Sequence, residues 1–255
     1  MEPKQQKNTI KTARTTFRIL EELKDQNEAT ATELAGNFTL SKSSIHNYLN
    51  TLEKEGYVVK EDNRYRISLG FLEFGGWARQ REPLYQIARD EVTKLAEKTG
   101  ELANLLTEEH GKGIYLYRSE GTQAVQTDSY TGQHVYLHNT ALGKAILSQY
   151  PKEHVNRIID RHGLPATTEN TITDRDELFD ELDRVREEGI AFDDEARLEG
   201  LRCVAVPITN NSDEVEGGLS VSGPKSRFTD DYFRSELPKM LQNAANIVEL
   251  NVTYM

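Results

Sequence analysis

The stretch from Thr30 to Gly56 constrains the fold of this chain most, because it carries signals for two short helices joined by a tight turn. Thr30 and Glu33 fit a capping box, in which each side chain accepts a hydrogen bond from the other residue's backbone N–H. Ser41 is a suitable N-cap for a second helix, which we predict to run through residues 42–55 and to end at Gly56. The stretch therefore predicts a helix-turn-helix.

The second of these helices has one apolar and one polar face. Ile45, Leu49 and Leu52 recur at helical spacing and are predicted to face a core. The other face carries hydrogen-bonding side chains close to the helix start, as a helix that reads base edges in the major groove requires. An ordinary pair of helices with a solvated polar face is the alternative interpretation.

The neighbouring segments favour the DNA-binding interpretation. A helix is predicted over residues 10–24, with Ala13, Phe17, Leu20 and Leu23 facing inward, and a two-stranded hairpin over residues 57–67. This order is typical of a winged helix-turn-helix, although some such modules bind proteins instead. We predict that the recognition helix and the hairpin contact DNA through Lys42, Ser43, Ser44, His46, Asn47, Arg64 and Arg66.

The charge of the chain is divided unevenly. The net charge is −11, yet residues 1–69 hold 11 Lys and Arg against 10 Asp and Glu, whereas the remainder holds 20 against 32. Only the first segment is therefore electrostatically compatible with DNA phosphates. The acidic excess indicates either weak DNA binding at ordinary salt or a halophilic host with a salty cytoplasm, and the composition favours the halophilic host.

Composition and cysteine count limit the class of protein. Charged residues make up 29% and hydrophobic residues 36% of the chain, and no apolar run approaches the length of a bilayer span. The N-terminus lacks the apolar core of a signal peptide, and the single cysteine cannot form an intramolecular disulfide. We expect a cytoplasmic protein without membrane contact. No phosphate-binding loop or dinucleotide fingerprint occurs, so no cofactor is expected.

A short aromatic segment follows the small domain. Phe71, Phe74 and Trp77 are spaced to share one helical face, which packs either on its own domain or against a second subunit. Gly75 and Gly76 weaken a continuous helix at this point and suggest a hinge. We predict a winged helix-turn-helix over residues 9–69, a linker helix over 70–81 and an effector domain over 82–255.

The second half alternates short β-rich runs with helices. We predict strands near residues 102–107, 113–117, 190–192, 203–208 and 218–221, and helices starting at residues 83, 141, 152, 173 and 229. Antiparallel strands flanked by a first and a last helix are typical of an α+β sensor domain. The fold class predicted for the whole chain is therefore α+β.

Three stretches in order resemble the IclR family of transcriptional regulators: TLSKSSIHNYLNTLEKEGYV, LHNTALGKAIL, and FDDEARLEGLRCVAVPI followed by GGLSVSGP. The resemblance extends from Thr12 to the C-terminus. It implies a GAF-like effector domain and a homodimer or tetramer that binds palindromic operator DNA and responds to a small organic acid. Asn47 stands where many relatives have arginine. Because Asn pairs with adenine whereas Arg favours guanine, base preference cannot be transferred.

The resemblance also implies an effector site, formed by Ala141, Leu142, Asp193, Cys203, Ser220 and Ser222. A helix that starts at Ala141 offers backbone N–H groups to a carboxylate, and Ser220 and Ser222 share one strand face. Asp193 disfavours a second carboxylate nearby and can accept from a ligand hydroxyl. We therefore predict a hydroxy, keto or sugar acid rather than an aromatic acid. No arginine is assigned to this site, which disfavours a dicarboxylate.

Two classes of function follow from the sequence. The first is a ligand-responsive regulator of catabolic genes, without enzymatic activity. The second is a metabolite-binding enzyme with an appended protein-interaction winged helix. His134 and His138 could bind zinc with Cys203, but structural histidines and a small buried cysteine are the favoured interpretations. No metal is expected.

Overall fold

The computed structural model describes residues 9–253 of the chain. The chain divides into two compact units, of which the first ends at Ala78 and the second begins at Arg79. The division of the sequence into segments 9–69, 70–81 and 82–255 stays a prediction, and its last two residues lie outside the described range.

The first unit consists of three helices and a small antiparallel sheet. Its elements are α1 (Lys11–Asp25), β1 (Ala29–Thr30), α2 (Ala31–Gly36), α3 (Lys42–Lys54), β2 (Val58–Glu61) and β3 (Arg64–Ile67), with strand order β1-β3-β2. The capping box is formed, because the Thr30 N–H donates to Glu33 Oε2 at 2.7 Å and the Glu33 N–H donates to Thr30 Oγ1 at 3.2 Å. Ser41 caps α3 by accepting from the Ser44 N–H at 3.1 Å.

The core of this unit confirms the apolar face predicted for α3. Ile45, Leu49 and Leu52 are buried with Ile19 and other residues of the first unit. The inward positions predicted for Ala13 and Phe17 of α1 are wrong, since both are exposed. Phe17 precedes Ile19 by two residues and therefore points to the opposite side of the helix. The strand β1 was not predicted, because two residues carry no alternating pattern.

A tight turn joins β2 and β3. Asp62 and Asn63 both have positive φ, 45° and 66°, as a two-residue type I′ hairpin requires. Glu61 pairs with Arg64 at the end of the ladder. The hairpin predicted from the sequence is confirmed.

The helix α4 (Phe71–Gln80) continues through Gly75 and Gly76 without a break. Phe71 is half-buried, and its ring centroid lies 5.1 Å from that of Tyr57. Leu72, Phe74 and Trp77 are 68%, 58% and 62% exposed. The Phe74 ring centroid also lies 6.0 Å from that of Tyr57, so the aromatic face predicted for this helix contacts the first unit through Phe71 and in part through Phe74, whereas Trp77 stays largely exposed.

The second unit is built around a six-stranded antiparallel sheet of order β6-β5-β4-β9-β8-β7. Its strands are β4 (Leu102–Glu109), β5 (Lys112–Glu120), β6 (His134–Val135), β7 (Ala191–Asp194), β8 (Leu201–Thr209) and β9 (Val215–Pro224). Its helices are α5 (Pro83–Thr99), α6 (Ala141–Gln149), α7 (Lys152–His162), α8 (Arg175–Glu188) and α9 (Leu237–Thr253). A π-helical turn over Tyr232–Glu236, which was not predicted, leads into α9. The α+β fold class is confirmed.

Helices cover both faces of this sheet. Leu105, Val204 and Leu219 belong to a core shared with α5 and α9, whereas Leu106, Cys203 and Ala205 belong to a core shared with α6, α7 and α8. The second face is the one on which the candidate effector site lies. Among the described helices, none is both long and apolar enough to cross a bilayer.

Candidate nucleic-acid and effector sites

The start of α3 presents one polar side of the first unit. Lys42, Ser43 and Asn47 are exposed, and Ser44 and His46 are half-buried. Positions 42, 43, 46 and 47 lie on adjacent turns of one helix side. The Ser41 hydroxyl lies 2.9 Å from both the Ser43 and the Ser44 hydroxyl, so these two serines contact the cap. Lys42 and Asn47 are therefore the two long exposed side chains among the residues predicted on α3.

The charge around the start of α3 also suits an anionic partner. The sequence contains no Asp or Glu between Glu33 and Glu53, and this interval includes Lys42 and His46. The helix dipole adds partial positive charge at the same end of α3. An anionic partner is therefore attracted to the α3 start even though the net charge of the segment is small.

The two hairpin arginines have carboxylate partners. Arg64 Nε lies 2.6 Å from Glu28 Oε1, and Arg64 Nη2 lies 3.5 Å from Glu33 Oε2. Arg66 Nη2 lies 2.7 Å from Glu61 Oε1. Arg64 thus connects β3 to the start of α2, and Arg66 connects the two strands of the hairpin. The carboxylate partners reduce the positive charge that the two arginines present to a phosphate, although each guanidinium keeps N–H groups outside these pairs.

The start of α6 is fully buried. Ala141 and Leu142 are 0% and 2% exposed, and Thr140 caps the helix by accepting from the Gly143 N–H at 2.9 Å. A β-carbon on Gly143 would lie 2.0 Å from the Leu137 carbonyl oxygen, so only glycine permits this approach of the chain. The first N–H groups of such a helix have no partner within the helix and can bind an anion.

The sheet brings the other four predicted effector residues together on the face covered by α6. Asp193 pairs with Cys203 across β7 and β8, and Cys203 pairs with Ser222 across β8 and β9. Ser220 lies two residues from Ser222 and therefore shares its face. The Ser222 hydroxyl donates to Cys203 Sγ at 3.1 Å. All four residues are buried.

Burial changes the acid strength of two groups in this cluster. It raises the pKa of Asp193 to about 6, against the opposing effects of the Lys144 ammonium and of the Ala196 N–H, which donates to Asp193 Oδ1 at 2.7 Å. Burial also raises the pKa of the Cys203 thiol to about 12. A cysteine that stays protonated is a poor nucleophile, so this geometry does not support the enzyme interpretation.

Sequence reasoning missed three polar residues beside this cluster. Asn104 of β4 pairs with Ser220 in register, and Asn104 pairs in turn with Arg118 of β5. Burial raises the pKa of Tyr115 to about 12. The nearby charges of Arg197 and Arg118 lower this pKa, whereas those of Cys203 and Asp193 raise it. Arg197 Nη2 lies 2.9 Å from Asp128 Oδ1. Arg118 and Arg197 thus lie near the cluster, although no arginine was assigned to the site from the sequence. The predicted hairpin of β4 and β5 was the signal that could have located Arg118.

The two histidines considered as zinc ligands are separated by their surroundings. His138 is buried, its Nε2 lies 3.1 Å from the Pro165 carbonyl oxygen, and burial lowers its pKa, whereas His134 is exposed in β6. Within residues 9–253, no three His, Cys, Asp or Glu side chains are placed to hold a metal ion.

Two cavities open beside the face that α6 covers. One of about 200 Å³ is lined by residues that include Asp128, Asn139 and Arg197, and it adjoins the α6 cap. The other, of about 210 Å³, is lined partly by Lys144 and Glu181, whose Nζ and Oε1 atoms lie 2.7 Å apart. Both cavities lie beside the buried polar cluster, and neither is lined by Cys203, Ser220 or Ser222.

Comparison with known families and proteins assigns both units. The family model for the IclR helix-turn-helix domain matches residues 13–62, and the model described as bacterial transcriptional regulator IclR C-terminal matches residues 78–249. A probable regulator named ArcR from Halobacterium salinarum is 32% identical over 238 residues, covering 92% of this chain and 90% of its own length. The regulator KdgR of Escherichia coli is 31% identical over 251 residues, covering 98% and 95%.

Solved structures show the same architecture. The crystal structure of the Thermotoga maritima IclR has a TM-score of 0.75 at 31% identity and covers 95% of this chain and 99% of that one. An IclR homologue from Microbacterium hydrocarbonoxydans, solved with 4-hydroxybenzoate, has a TM-score of 0.77 at 21% identity, covering 93% and 97%. The chain belongs to the IclR family of ligand-responsive transcriptional regulators.

Proposed function

We propose that the protein is a cytoplasmic regulator without enzymatic activity, which binds palindromic operator DNA as a homodimer or tetramer and controls catabolic genes. The observation that carries the proposal is the exposed polar side at the start of α3, where Lys42 and Asn47 extend from a stretch free of acidic residues. An enzyme with an appended winged helix is the alternative. The relatives are transcriptional regulators and the Cys203 thiol is protonated, and both observations disfavour it.

DNA recognition divides between the two exposed side chains of α3. Asn47 can pair with adenine through both ends of its amide, which reads sequence, whereas Lys42 neutralises phosphate charge without reading sequence. Ser43, Ser44 and His46 lie beside them and complete the contact surface. Arg64 and Arg66 contribute from the hairpin through the guanidinium N–H groups that their carboxylate partners leave available.

Asn47→Ala is expected to weaken operator binding by about 1–3 kcal/mol and to relax base preference, because a bidentate pair is lost. Lys42→Ala is expected to weaken binding to all sequences and to reduce the salt slope by about 1. Fluorescence anisotropy with the promoter region of the protein's own gene measures both effects. Lys98→Ala, which removes an exposed lysine from α5, serves as the charge-matched control. Unchanged affinity and preference in Asn47→Ala would contradict this placement.

Oligomerisation follows from the small size of one DNA-binding unit. One chain offers one recognition helix and little net positive charge, whereas two chains related by a two-fold axis contact two half-sites. We propose that the exposed apolar side chains of α4, Leu72, Phe74 and Trp77, form the contact between subunits. Signals from the effector are proposed to reach the DNA-binding unit along residues 71–81.

Leu72→Glu and Trp77→Glu are each expected to give monomers and to abolish operator binding, because a charge replaces apolar area in the contact. Light scattering gives the mass, and anisotropy gives the binding. Leu72→Met, which conserves an apolar side chain, is the control and should remain oligomeric. A wild type that is monomeric at working salt, or glutamate variants that keep both properties, would show that the contact lies elsewhere.

The effector is proposed to be a small hydroxylated or keto carboxylate held beside the α6 start. Backbone N–H groups near Ala141 and Leu142 suit its carboxylate, and Ser220 and Ser222 offer hydroxyl partners. Asp193 and Cys203 complete the polar lining. The ligand of the Microbacterium homologue is an aromatic acid with a hydroxyl group, so aromatic acids belong in the test as the competing class.

Calorimetry against sugar acids, keto acids and aromatic acids tests the effector class. A sugar or hydroxy acid is expected to bind, and Ser220→Ala should weaken that binding about tenfold through the loss of a buried hydrogen bond. Ser226→Ala, which removes a hydroxyl from the exposed turn after β9, is the matched control. Binding of an aromatic acid alone would refute the proposed class, and wild-type affinity in both Ser220→Ala and Asp193→Ala would refute the site.

A halophilic origin is proposed from the acidic excess, with support from the similarity to a Halobacterium regulator. Like charges on the surface repel one another, and the Debye length falls to about 3 Å at 1 M salt. The melting temperature is therefore expected to rise as KCl is raised from low to molar concentration. Parallel measurements in sucrose control for general osmolyte effects. A melting temperature that does not respond to KCl would remove the halophilic interpretation.

A further inference from the structure

We propose that Asn104 and Arg118 extend the effector site across two further strands and bind the distal hydroxyl groups of a linear, polyhydroxylated monocarboxylic acid of about six carbons. The inference rests on the proposed effector site and specifies its ligand. Neither residue belongs to the set predicted from the sequence.

The sheet register places these side chains in line with the site. Ser220 of β9 pairs with Asn104 of β4, and Asn104 pairs with Arg118 of β5. Directly paired residues of antiparallel strands project from the same face, so all three lie on the face covered by α6. Because neighbouring strands are about 4.8 Å apart, the row from β9 to β5 spans about 10 Å. A three-carbon acid cannot span this distance, whereas a six-carbon chain with its terminal oxygens can.

Asn104 has an unsatisfied acceptor. The residue is only 3% exposed, its Nδ2 donates weakly to Ser220 Oγ at 3.4 Å, and its Oδ1 is buried and accepts from no described residue. Turning the amide round exchanges its two ends but still leaves one end without a partner. A buried polar atom without a partner is destabilising, so a ligand group that supplies the missing donor binds there favourably.

Arg118 has an unsatisfied donor. Its side chain is 14% exposed, and its terminal nitrogens donate to the Ser129 carbonyl oxygen and, at 3.4 Å, to Thr127 Oγ1. Nε is buried and has no hydrogen-bond partner among the described residues. The nearest paired carboxylate oxygen, Glu120 Oε1, is 3.5 Å from Nη2 and belongs to a side chain that is 61% exposed. Arg118 is therefore held in place, with one N–H left for a ligand.

The surroundings of these two atoms are hydroxylated. Thr127 Oγ1 and Ser129 Oγ lie 2.7 Å apart, and Ser129 is 5% exposed. The segment that carries them is held by Arg118 and, through Asp128, by Arg197. The extended site is thus polar along its whole length, from Ser222 to Ser129.

These partners select the ligand chemistry. Arg118 Nε requires an acceptor and Asn104 Oδ1 requires a donor, and a hydroxyl group supplies both. A second carboxylate would satisfy Arg118 but would leave Asn104 Oδ1 without a donor. An aromatic acid with a single hydroxyl group offers only one such partner, whereas the row contains two unsatisfied atoms. A chain of hydroxyl-bearing carbons that ends in a single carboxylate satisfies the whole row.

Calorimetry of the full-length protein with D-glycerate, D-gluconate and 2-hydroxyhexanoate tests the inference. The wild type is expected to bind gluconate at least tenfold more tightly than either other acid, because glycerate is too short and 2-hydroxyhexanoate lacks the distal hydroxyls. Asn104→Leu and Arg118→Lys should each reduce the preference for gluconate over glycerate about tenfold, whereas Ser220→Ala should weaken both acids and keep the preference. Thermal melts verify that each variant is folded, and the comparison of ligands on the wild type requires no variant.

Three results would each overturn the inference while leaving the proposed effector site intact. Two concern the wild type: affinities for glycerate and gluconate within threefold of each other, or equal affinities for gluconate and 2-hydroxyhexanoate. The third is an unchanged preference for gluconate in folded Asn104→Leu and Arg118→Lys. Failure of all three acids to bind the wild type would instead refute the proposed effector class, and this inference with it.

Discussion

The close approach of α6 to the chain that precedes it is the constraint on which the second unit depends. At Gly143 the helix passes so near the Leu137 carbonyl that no side chain fits. Leu142 packs closely on β9, because a β-carbon added to Gly218 would lie only 3.2 Å from Leu142 Cδ2. This contact brings the start of α6 over β8 and β9. The same packing sets α6 against the strands that carry Cys203, Ser220 and Ser222.

The face below α6 is costly to fold, because it buries polar groups. Asp193 illustrates the cost: its pKa is about 6 in the folded protein, above the ordinary value of 3.8. Protonated Asp193 is therefore favoured by folding. The protonated form of Asp193 contributes about 3 kcal/mol more to the free energy of unfolding than the ionised form does. This contribution is fully present below pH 4 and is lost as the pH rises through 6. Asn104 Oδ1 and Arg118 Nε, which have no partner among the described residues, add to this cost, as is expected of the ligand site proposed on this face.

The two units divide recognition between different physical means. The first unit has a small apolar core and presents its function on the surface, where Lys42 and Asn47 face solvent near a helix start. The second unit keeps its polar residues inside, where each hydrogen bond is stronger and each missing partner is more costly. An exposed face suits a large partner such as DNA, whereas a buried row suits a small molecule that can be enclosed.

Local sequence patterns determined the capping box at Thr30, the N-cap Ser41, the apolar face of α3 and the order of helices and strands, because each depends on neighbouring residues. The polar residues predicted on the face below α6, Asp193, Cys203, Ser220 and Ser222, came instead from the resemblance to the IclR family. Only the tertiary structure decided that Phe71 packs on Tyr57, that Phe17 faces outward, and that Asn104 and Arg118 join the row that begins at Ser220. Those outcomes depend on strand register and helix rotation, which bring together residues as far as 116 positions apart in the chain.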